Sequence, residues 1–556
     1  MIESHFEFWP ERVPRSLPLP ETSVYHNLEV TAARYPGNTA IVYYGTEILY
    51  SRLHSEVNAL AGYLQKESGV EKGDRVILYV QNSPQFIVAF YAVLRLGAVV
   101  VPVNPMLVTN ELEHYVQDSE AKVAVVGQEL YENISPLLGE GGLEQLIVAT
   151  YSDYLEEETD LAIPDFVQTP REEISGEGMI SWNEALEPGY EPEPVDVGSA
   201  DVALLPYTSG TTGQPKGCIH THRTLQATLV GGCVWNATTV ASISLCVLPL
   251  FHVTGMQHSM NAPIYSGGAS VLMTRWDRDV AAELMQRYGV THWTNISTMV
   301  VDFLANPNIG DYDLSSLLVV WGGGAPLPAA VGEKLNELMG LSYQEGYGLS
   351  ETISQTHLNP PDRPKLQCLG VPHFDVDARV VNPDTLEELG PNEQGEIVVS
   401  GPQVMEGYWK RPDADEESFF ERDGKRFFRT GDIAVYDEEG YFFMVDRLKR
   451  MINASGYKVW PSEVESTLYK HPAIQEACII GIPDEQRGET AKAFVVLREG
   501  EDASAEDIIE WAKGEMAAYK YPRQVEFIDA LPKSGSGKIL WRELQEKEQE
   551  KMSESK

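Results

Sequence analysis

The chain has 556 residues, 43 % of them hydrophobic, and a formal net charge of −41. That length allows several domains around a large core, and so negative a surface repels nucleic acid and argues against it as a partner. The cysteines at 218, 233, 246, 368 and 478 are odd in number and form no Cys-x-x-Cys pair, which speaks against a disulfide framework or zinc site and for a reducing compartment.

The first twenty residues are polar and proline-rich, unlike a secretory leader. Leu53, Val57, Leu60 and Leu64 then recur at helical spacing, as do Ala281, Leu284, Met285 and Tyr288. The longest apolar run, from Phe86 to Val103, is interrupted by Arg95 and Gly97; it reads as a buried helix followed by a buried strand, not a membrane span. Short β-rich runs follow at 98–103, 122–126, 146–149, 244–248, 269–273 and 317–321. Their alternation with helices predicts α/β layers with largely parallel, buried strands. Residues 151–200 hold fourteen acidic side chains against one basic, Arg171, the pattern of a solvated face.

Residues 207–217 read Tyr-Thr-Ser-Gly-Thr-Thr-Gly-Gln-Pro-Lys-Gly. Glycines let backbone amides approach an anion, hydroxyls add donors and Lys216 adds charge. The stretch predicts a polyphosphate-holding loop. Its lysine lies between Pro215 and Gly217, out of register for a P-loop, which needs Gly-Lys-Ser/Thr at a helix start.

Four further clusters carry chemistry. His252 follows an apolar strand, where a histidine is as often structural as functional. Gly322-Gly-Gly-Ala-Pro326 ends another strand, as a tight turn or as a close approach to a flat ligand. Residues 344–352 supply an aromatic ring, two hydroxyls and a carboxylate, and Arg429-Thr-Gly-Asp432 sets a carboxylate beside a turn. Beyond a strand-rich stretch that includes 377–381 and 396–400 comes a block with strands at 477–482 and 492–497 and a helix at 505–516.

Taken in this order, the loop at 208–217, Tyr347–Thr352, Thr430–Asp432, Asp446–Lys449 and Lys533-Ser-Gly-Ser-Gly-Lys538 resemble the adenylate-forming superfamily. It comprises acyl-CoA synthetases, firefly luciferase and the adenylation domains of peptide synthetases, and the nearest likeness is to fatty-acyl-CoA and aryl-CoA ligases. The resemblance implies an α/β chain with a large N-terminal domain of layered α/β subdomains and a small β-barrel-like subdomain at 1–445. A hinge at 446–449, a small mobile α+β C-terminal domain at 450–545 and a charged tail at 546–556 would follow.

The same likeness implies ATP, Mg²⁺ and coenzyme A as cofactors or co-substrates. Thr208, Ser209, Gly210, Thr211, Thr212 and Lys216 would embrace the outer phosphates, with Ser350 and Thr352 near the α-phosphate. Glu351 and Thr208 would hold the metal. Tyr347, with Gly348 beside it, and the backbone of Gly323, Gly324, Ala325 and Pro326 would line adenine, and Asp432 and Arg447 the ribose. Lys538 would bridge the carboxylate and the α-phosphate, Lys449 would be the pivot, and Ser455, Gly456 and Lys458 would meet CoA. Trp235, His252, Met256, Gly322 and Gly346 would build an apolar acyl pocket, with His252 beside the acyl carboxylate as a catalytic residue alongside Lys538, Glu351 and Thr208. The expected substrate is an apolar acid, a medium- to long-chain fatty acid, with an aryl acid as the alternative; a stand-alone adenylating enzyme and a luciferase-like oxygenase rank lower. No fused carrier domain is expected after Lys538. A cytoplasmic location is expected, with peripheral membrane association and a homodimer left open.

Overall fold

The computed structural model describes residues 3–554 except 12, 140–141, 175, 209–213, 455–456, 485–486, 499 and 534–538. The chain divides into two compact units, Met1–Ala378 with Val399–Phe428, and Arg379–Val398 with Arg429–Lys556.

The first unit is built on two large sheets. In the nine-stranded one the order is Val371–Pro372, Ser354–Leu358, Gln344–Leu349, Val319–Gly323, His292–Asn295, Ile243–Cys246, Ala269–Leu272, Thr39–Tyr43 and Thr46–Leu49. Its middle strands pair in parallel, from Gln344–Leu349 across to Thr39–Tyr43. The seven-stranded sheet centres on Arg75–Tyr79 between Val99–Pro102 and Val123–Gly127, again parallel. Parallel strands covered on both faces need apolar side chains throughout, and Val99–Pro102 and Val123–Gly127 are buried at every position.

The helix Pro84–Arg95 shows how sequence sets this packing. Ser83 caps it by accepting from the Phe86 amide at 3.3 Å, and Pro84 occupies the first turn, where its missing N–H costs nothing. Every residue from Pro84 to Leu94 is buried, as expected of a helix apolar on all sides. The long apolar run is thus a buried helix plus a buried strand, and among the described residues no helix is long and apolar enough to cross a membrane. Leu53, Val57, Leu60 and Leu64 form the buried face of the helix Tyr50–Lys66.

The second unit carries its own sheet, ordered Tyr457–Val459, Ile452–Ala454, Gly488–Leu497 and Ile474–Asp484, with Gln524–Phe527 parallel to Gly488–Leu497. Alternate residues of Ile474–Asp484 enter two cores. Ala477 and Ile479 join Val464, Leu468 and Ile508, whereas Cys478, Ile480 and Ile482 join Phe494, Leu531 and Leu544. Beside the second core Lys492 is buried and pairs with Glu526 and Glu548, each at 2.7 Å. Removing the cation leaves Glu526 with Lys551, at 2.9 Å, but leaves the nearly inaccessible Glu548 with only Lys551, 4.0 Å away. Lys492→Met is therefore expected to destabilise the second unit by about 3 kcal/mol, read as a lower urea midpoint for that unit; an unchanged midpoint would contradict the assigned role of the pair.

Candidate active site

The phosphate-loop motif is pinned at both ends. Thr208 pairs with Lys216 and Tyr207 with Gly217 in a short antiparallel ladder. The Tyr207 hydroxyl donates to Asp118 Oδ2 at 2.8 Å, and the His114 ring Nε2 donates to the Pro215 carbonyl at 2.8 Å. Ser209, Gly210, Thr211 and Thr212 lie outside the described residues.

Chain beyond the loop is joined to a distant segment. Residues 217–219 exchange backbone hydrogen bonds with 406–409: Trp409 N to Gly217 O at 2.7 Å, Ile219 N to Gly407 O at 2.9 Å and Glu406 N to Ile219 O at 3.0 Å. Met405 N donates to the Glu351 carbonyl at 2.9 Å. Tyr408 sits at the centre of this join. Its hydroxyl donates to Glu351 Oε1 at 3.0 Å, and Lys216 Nζ lies 4.2 Å from its ring centroid. Burial pushes its phenol pKa well up, so the hydroxyl keeps its proton. Asp118 anchors the same segment through Arg411, at 2.7 Å, and through the Trp409 indole, which donates to its carbonyl at 3.0 Å.

Ser350, Glu351 and Thr352 form a 3-10 turn at the end of Gln344–Leu349. The His220 Nε2 donates to the Ser350 carbonyl at 2.7 Å, and burial holds His220 neutral, its pKa lowered to about 4. The fully buried Thr352 hydroxyl donates to the Ser354 carbonyl at 2.8 Å and accepts from the Leu349 amide at 2.9 Å. Thr352 thus holds the turn that presents Ser350 and Glu351. The next residue, Ile353, has φ of +45°, a strained value for a β-branched residue.

The glycine strand ends meet backbone to backbone. A Cβ at Gly322 would stand 2.0 Å from Asn295 O, one at Gly323 2.5 Å from Gly346 O, and one at Gly348 1.7 Å from Ser354 O. Gly324 has φ of +87°. These glycines are required by close approach and by turn geometry. Ala325 and Pro326 follow in that turn, just before Leu327, whose amide is held by Glu345. The Tyr347 ring lies 5.6 Å from the His357 ring.

Of the residues that the sequence reading sets in the acyl pocket, His252 is exposed, and its Nδ1 accepts from the Thr254 amide at 3.4 Å. Met256 opens a π-helical segment, Met256–Asn261, buried throughout; such segments recur at functional sites. Trp235 is buried, donates to the Asn359 carbonyl at 3.0 Å and meets Trp9 edge-on at 4.8 Å.

In the second unit Asp432 is buried and pairs with Arg447 at 3.2 Å, the two being register partners on adjacent strands. Lys449 lies in the turn Leu448–Arg450. Lys458 faces Asn453 in a short hairpin, while Ser455, Gly456 and Lys538 lie outside the described residues.

Thr208, Lys216, Ser350 and Glu351 are thus drawn together in the first unit, and Asp432 and Arg447 in the second. Tyr408, Asp118, His114 and His220 do not stand out in the sequence. The only signal for Tyr408 is the Gly-Tyr pair at 407–408, where Gly407 makes room for Asp415, whose Oδ1 accepts from the Tyr408 amide at 2.8 Å.

The family model of the AMP-binding enzyme matches residues 28–409, and that of the AMP-binding enzyme C-terminal domain matches 463–538. The chain belongs to the AMP-binding enzyme family. It is 36 % identical over 556 residues to a long-chain-fatty-acid–CoA ligase of Bacillus subtilis, covering 98 % of this chain and 97 % of the relative. It is 35 % identical over 511 residues to a feruloyl-CoA synthase of an Amycolatopsis species, covering 91 % and 95 %. Among solved structures, an anthranilate CoA ligase in complex with anthranoyl-AMP superposes with a TM-score of 0.82 at 28 % identity, covering 97 % and 99 %. The α/β architecture and the AMP-forming acyl-CoA ligase character expected from the motifs are those of this group.

Glu345, one strand position before the close approach at Gly346, is a sensitive point. Its Oε1 accepts from the Gln367 amide at 2.7 Å and the Leu327 amide at 3.3 Å, yet burial pushes its pKa up from 4.5 to about 7. The native state holds this proton to higher pH than the unfolded chain does. Its contribution to stability is therefore fully present at acid pH and declines as pH rises from the unfolded value through about 7. Glu345→Gln keeps an acceptor oxygen and removes the charge. Its melting temperature relative to wild type is expected to rise between about pH 5 and about pH 8; a difference constant with pH would contradict the buried-charge reading.

Proposed function

We propose that this AMP-forming acid–CoA ligase activates an apolar monocarboxylate, a medium- to long-chain fatty acid, as an acyl-adenylate and then passes it to CoA. The carrying observation is the assembly of Lys216 and Glu351 on Tyr408, beside the pinned mouth of the 208–216 loop. It supports a site that grips a polyphosphate and a cation together.

A carboxylate is a poor electrophile for a thiol; joined to AMP it becomes an anhydride with a good leaving group. In the first half-reaction the acid attacks the α-phosphate and pyrophosphate departs. Charge gathers on phosphate oxygens, so preorganised donors carry most of the catalysis. In our reading Thr208, Ser209, Gly210, Thr211, Thr212 and Lys216 hold the departing pyrophosphate. Ser350 faces the α-phosphate on the turn that Thr352 fixes. Tyr347 and the Gly323–Pro326 backbone take adenine, and Asp432 with Arg447 takes the ribose. Lys538 neutralises the carboxylate and α-phosphate as they meet.

The donor chemistry fits magnesium. Glu351 and Thr208 offer hard oxygens, and among the described residues no group of three or more His, Cys, Asp or Glu could make a full protein cage. Magnesium is usually held by one or two carboxylates plus substrate phosphates. Bound there it would supply charge neutralisation on the phosphates. For the second half-reaction we assign Asp446–Lys449 as the hinge between 1–445 and 450–545, and Ser455, Gly456 and Lys458 as contacts of CoA. The five cysteines, all buried and none in a disulfide, support a cytoplasmic setting.

The acyl pocket is assigned to Trp235, His252, Met256, Gly322 and Gly346. Trp235 and Met256 are buried, and the indole N–H is already engaged by Asn359, so both present apolar surface to an acid. The fatty-acid and feruloyl ligases among the relatives support this class; the second name makes an aryl acid the alternative. A pyrophosphate-release screen over fatty acids of graded length, benzoate and ferulate tests the assignment. The highest kcat/KM is expected with a medium- to long-chain fatty acid. A ferulate optimum would move the assignment to aryl acids, and release no faster with any acid than without would overturn both.

Lys538→Ala is expected to slow adenylation by about a thousandfold while sparing thioester formation from supplied acyl-adenylate. Equal loss in the two half-reactions, measured separately by rapid quench, would contradict the bridging role.

A further inference from the structure

We propose that Tyr408 is a positioning residue that couples the magnesium ligand to the phosphate lysine, so that metal and nucleotide bind as one cooperative unit. The inference rests on the ATP-site reading above and extends it to a residue to which that reading assigns no contact with nucleotide or metal.

Two contacts engage different parts of one side chain. The phenol hydroxyl donates to Glu351 Oε1 at 3.0 Å, and the ring face receives Lys216 Nζ at 4.2 Å from its centroid. A hydrogen bond to a carboxylate fixes its rotamer and engages one of its two oxygens. The cation–π contact holds a flexible lysine stem near one position, which reduces the entropy lost when it meets a phosphate. Glu351 and Lys216 carry opposite charges and serve opposite partners. Tyr408 holds each through a different part of one side chain, the carboxylate by its hydroxyl and the ammonium by its ring face.

Tyr408 is itself rigidly placed. It is buried, its amide donates to Asp415 Oδ1 at 2.8 Å, and the residues before and after it pair with Ile219 and Gly217. The neighbouring Met405 amide binds the carbonyl of Glu351 itself. The segment therefore grips Glu351 by main chain and side chain together. This is the arrangement by which a supporting residue sets the geometry of a metal ligand.

Two variants separate the two contacts. Tyr408→Phe removes the hydroxyl and keeps the ring; Tyr408→Leu removes both. ATP binding to the full chain is measured by calorimetry, without acid or CoA, at a series of Mg²⁺ concentrations and in EDTA. Tyr408→Phe is expected to raise the Mg²⁺ concentration at half-effect by about tenfold and to leave ATP affinity in EDTA unchanged. Tyr408→Leu is expected to do the same and also to weaken ATP binding in EDTA by about threefold. If Tyr408→Phe leaves the Mg²⁺ dependence at the wild-type value, or if both variants lower only the melting temperature, the proposal is overturned. Wild-type protein that binds no ATP under any condition would overturn the ATP-site reading and this inference with it, a result distinct from wild-type binding that the variants leave untouched.

Discussion

The parallel pairing of three strand ends governs the candidate site. Asn295 faces Gly322 and Gly323 faces Gly346 in register, and at Gly322 and Gly323 any side chain would collide with main chain. Strands this close leave their carboxyl ends as bare backbone. Functional groups must then come from the turns that follow, and they do: Gly324 turns in the left-handed region, and Ser350–Thr352 turns out of Gln344–Leu349. Ligands of open α/β sheets sit at this carboxyl edge for the same reason. The Asn295 side chain accepts from the Tyr343 hydroxyl at 2.9 Å, which ties the two outer strands of the trio across Gly322.

A second constraint is electrostatic. A chain of net charge −41 repels the anions that its family binds. Local arrangement offsets the long-range field. Salt screens charges more than about 8 Å apart, so near the loop the few ordered cations dominate. Asp118 pairs with Arg411, and Lys410 with Glu120 at 2.8 Å, which leaves those carboxylates neutralised around the loop mouth. Lys216 is held on the Tyr408 ring, a partner that orders the ammonium without cancelling its charge.

Much of this was legible in sequence because the signals are local. Apolar runs at 98–103, 122–126 and 317–321 became the strands Val99–Pro102, Val123–Gly127 and Val319–Gly323, since a buried parallel strand leaves little freedom in composition. The glycine-rich and hydroxyl-rich motifs announced themselves for the same reason. What stayed hidden depends on contacts far apart in the chain. Tyr408 reaches Glu351 across 57 positions, and Asp118 reaches Tyr207 across 89. A tyrosine in a strand-rich stretch carries no mark of its partner. The part that Thr352 plays in its own turn was hidden as well: the resemblance sets it near the α-phosphate, and only the fold shows its hydroxyl closing the turn that presents Ser350 and Glu351. Glu345 was opaque because its raised pKa follows from burial and not from its neighbours in sequence.

The segments proposed to hold the acid and the phosphates are joined by a buried polar bridge, and its chemistry can be followed atom by atom. Gln355 donates through its amide nitrogen to the Thr228 carbonyl at 2.9 Å, so its oxygen faces the His258 Nε2 as an acceptor at 2.6 Å. Burial lowers the His258 pKa to about 4, so the ring is neutral and its single proton lies on Nε2. The same nitrogen is 3.0 Å from Ser354 Oγ, two residues beyond Thr352. His258 lies two residues beyond Met256 in the π-helical segment and meets Trp321, the residue before Gly322, edge-on at 4.5 Å. Gly232 makes this possible, because a Cβ there would stand 3.0 Å from the imidazole. A buried polar network of this kind is costly to rearrange. It therefore fixes the segment after His252 to the strand after Glu351, and the residues assigned to the acid and those assigned to the metal share one rigid support.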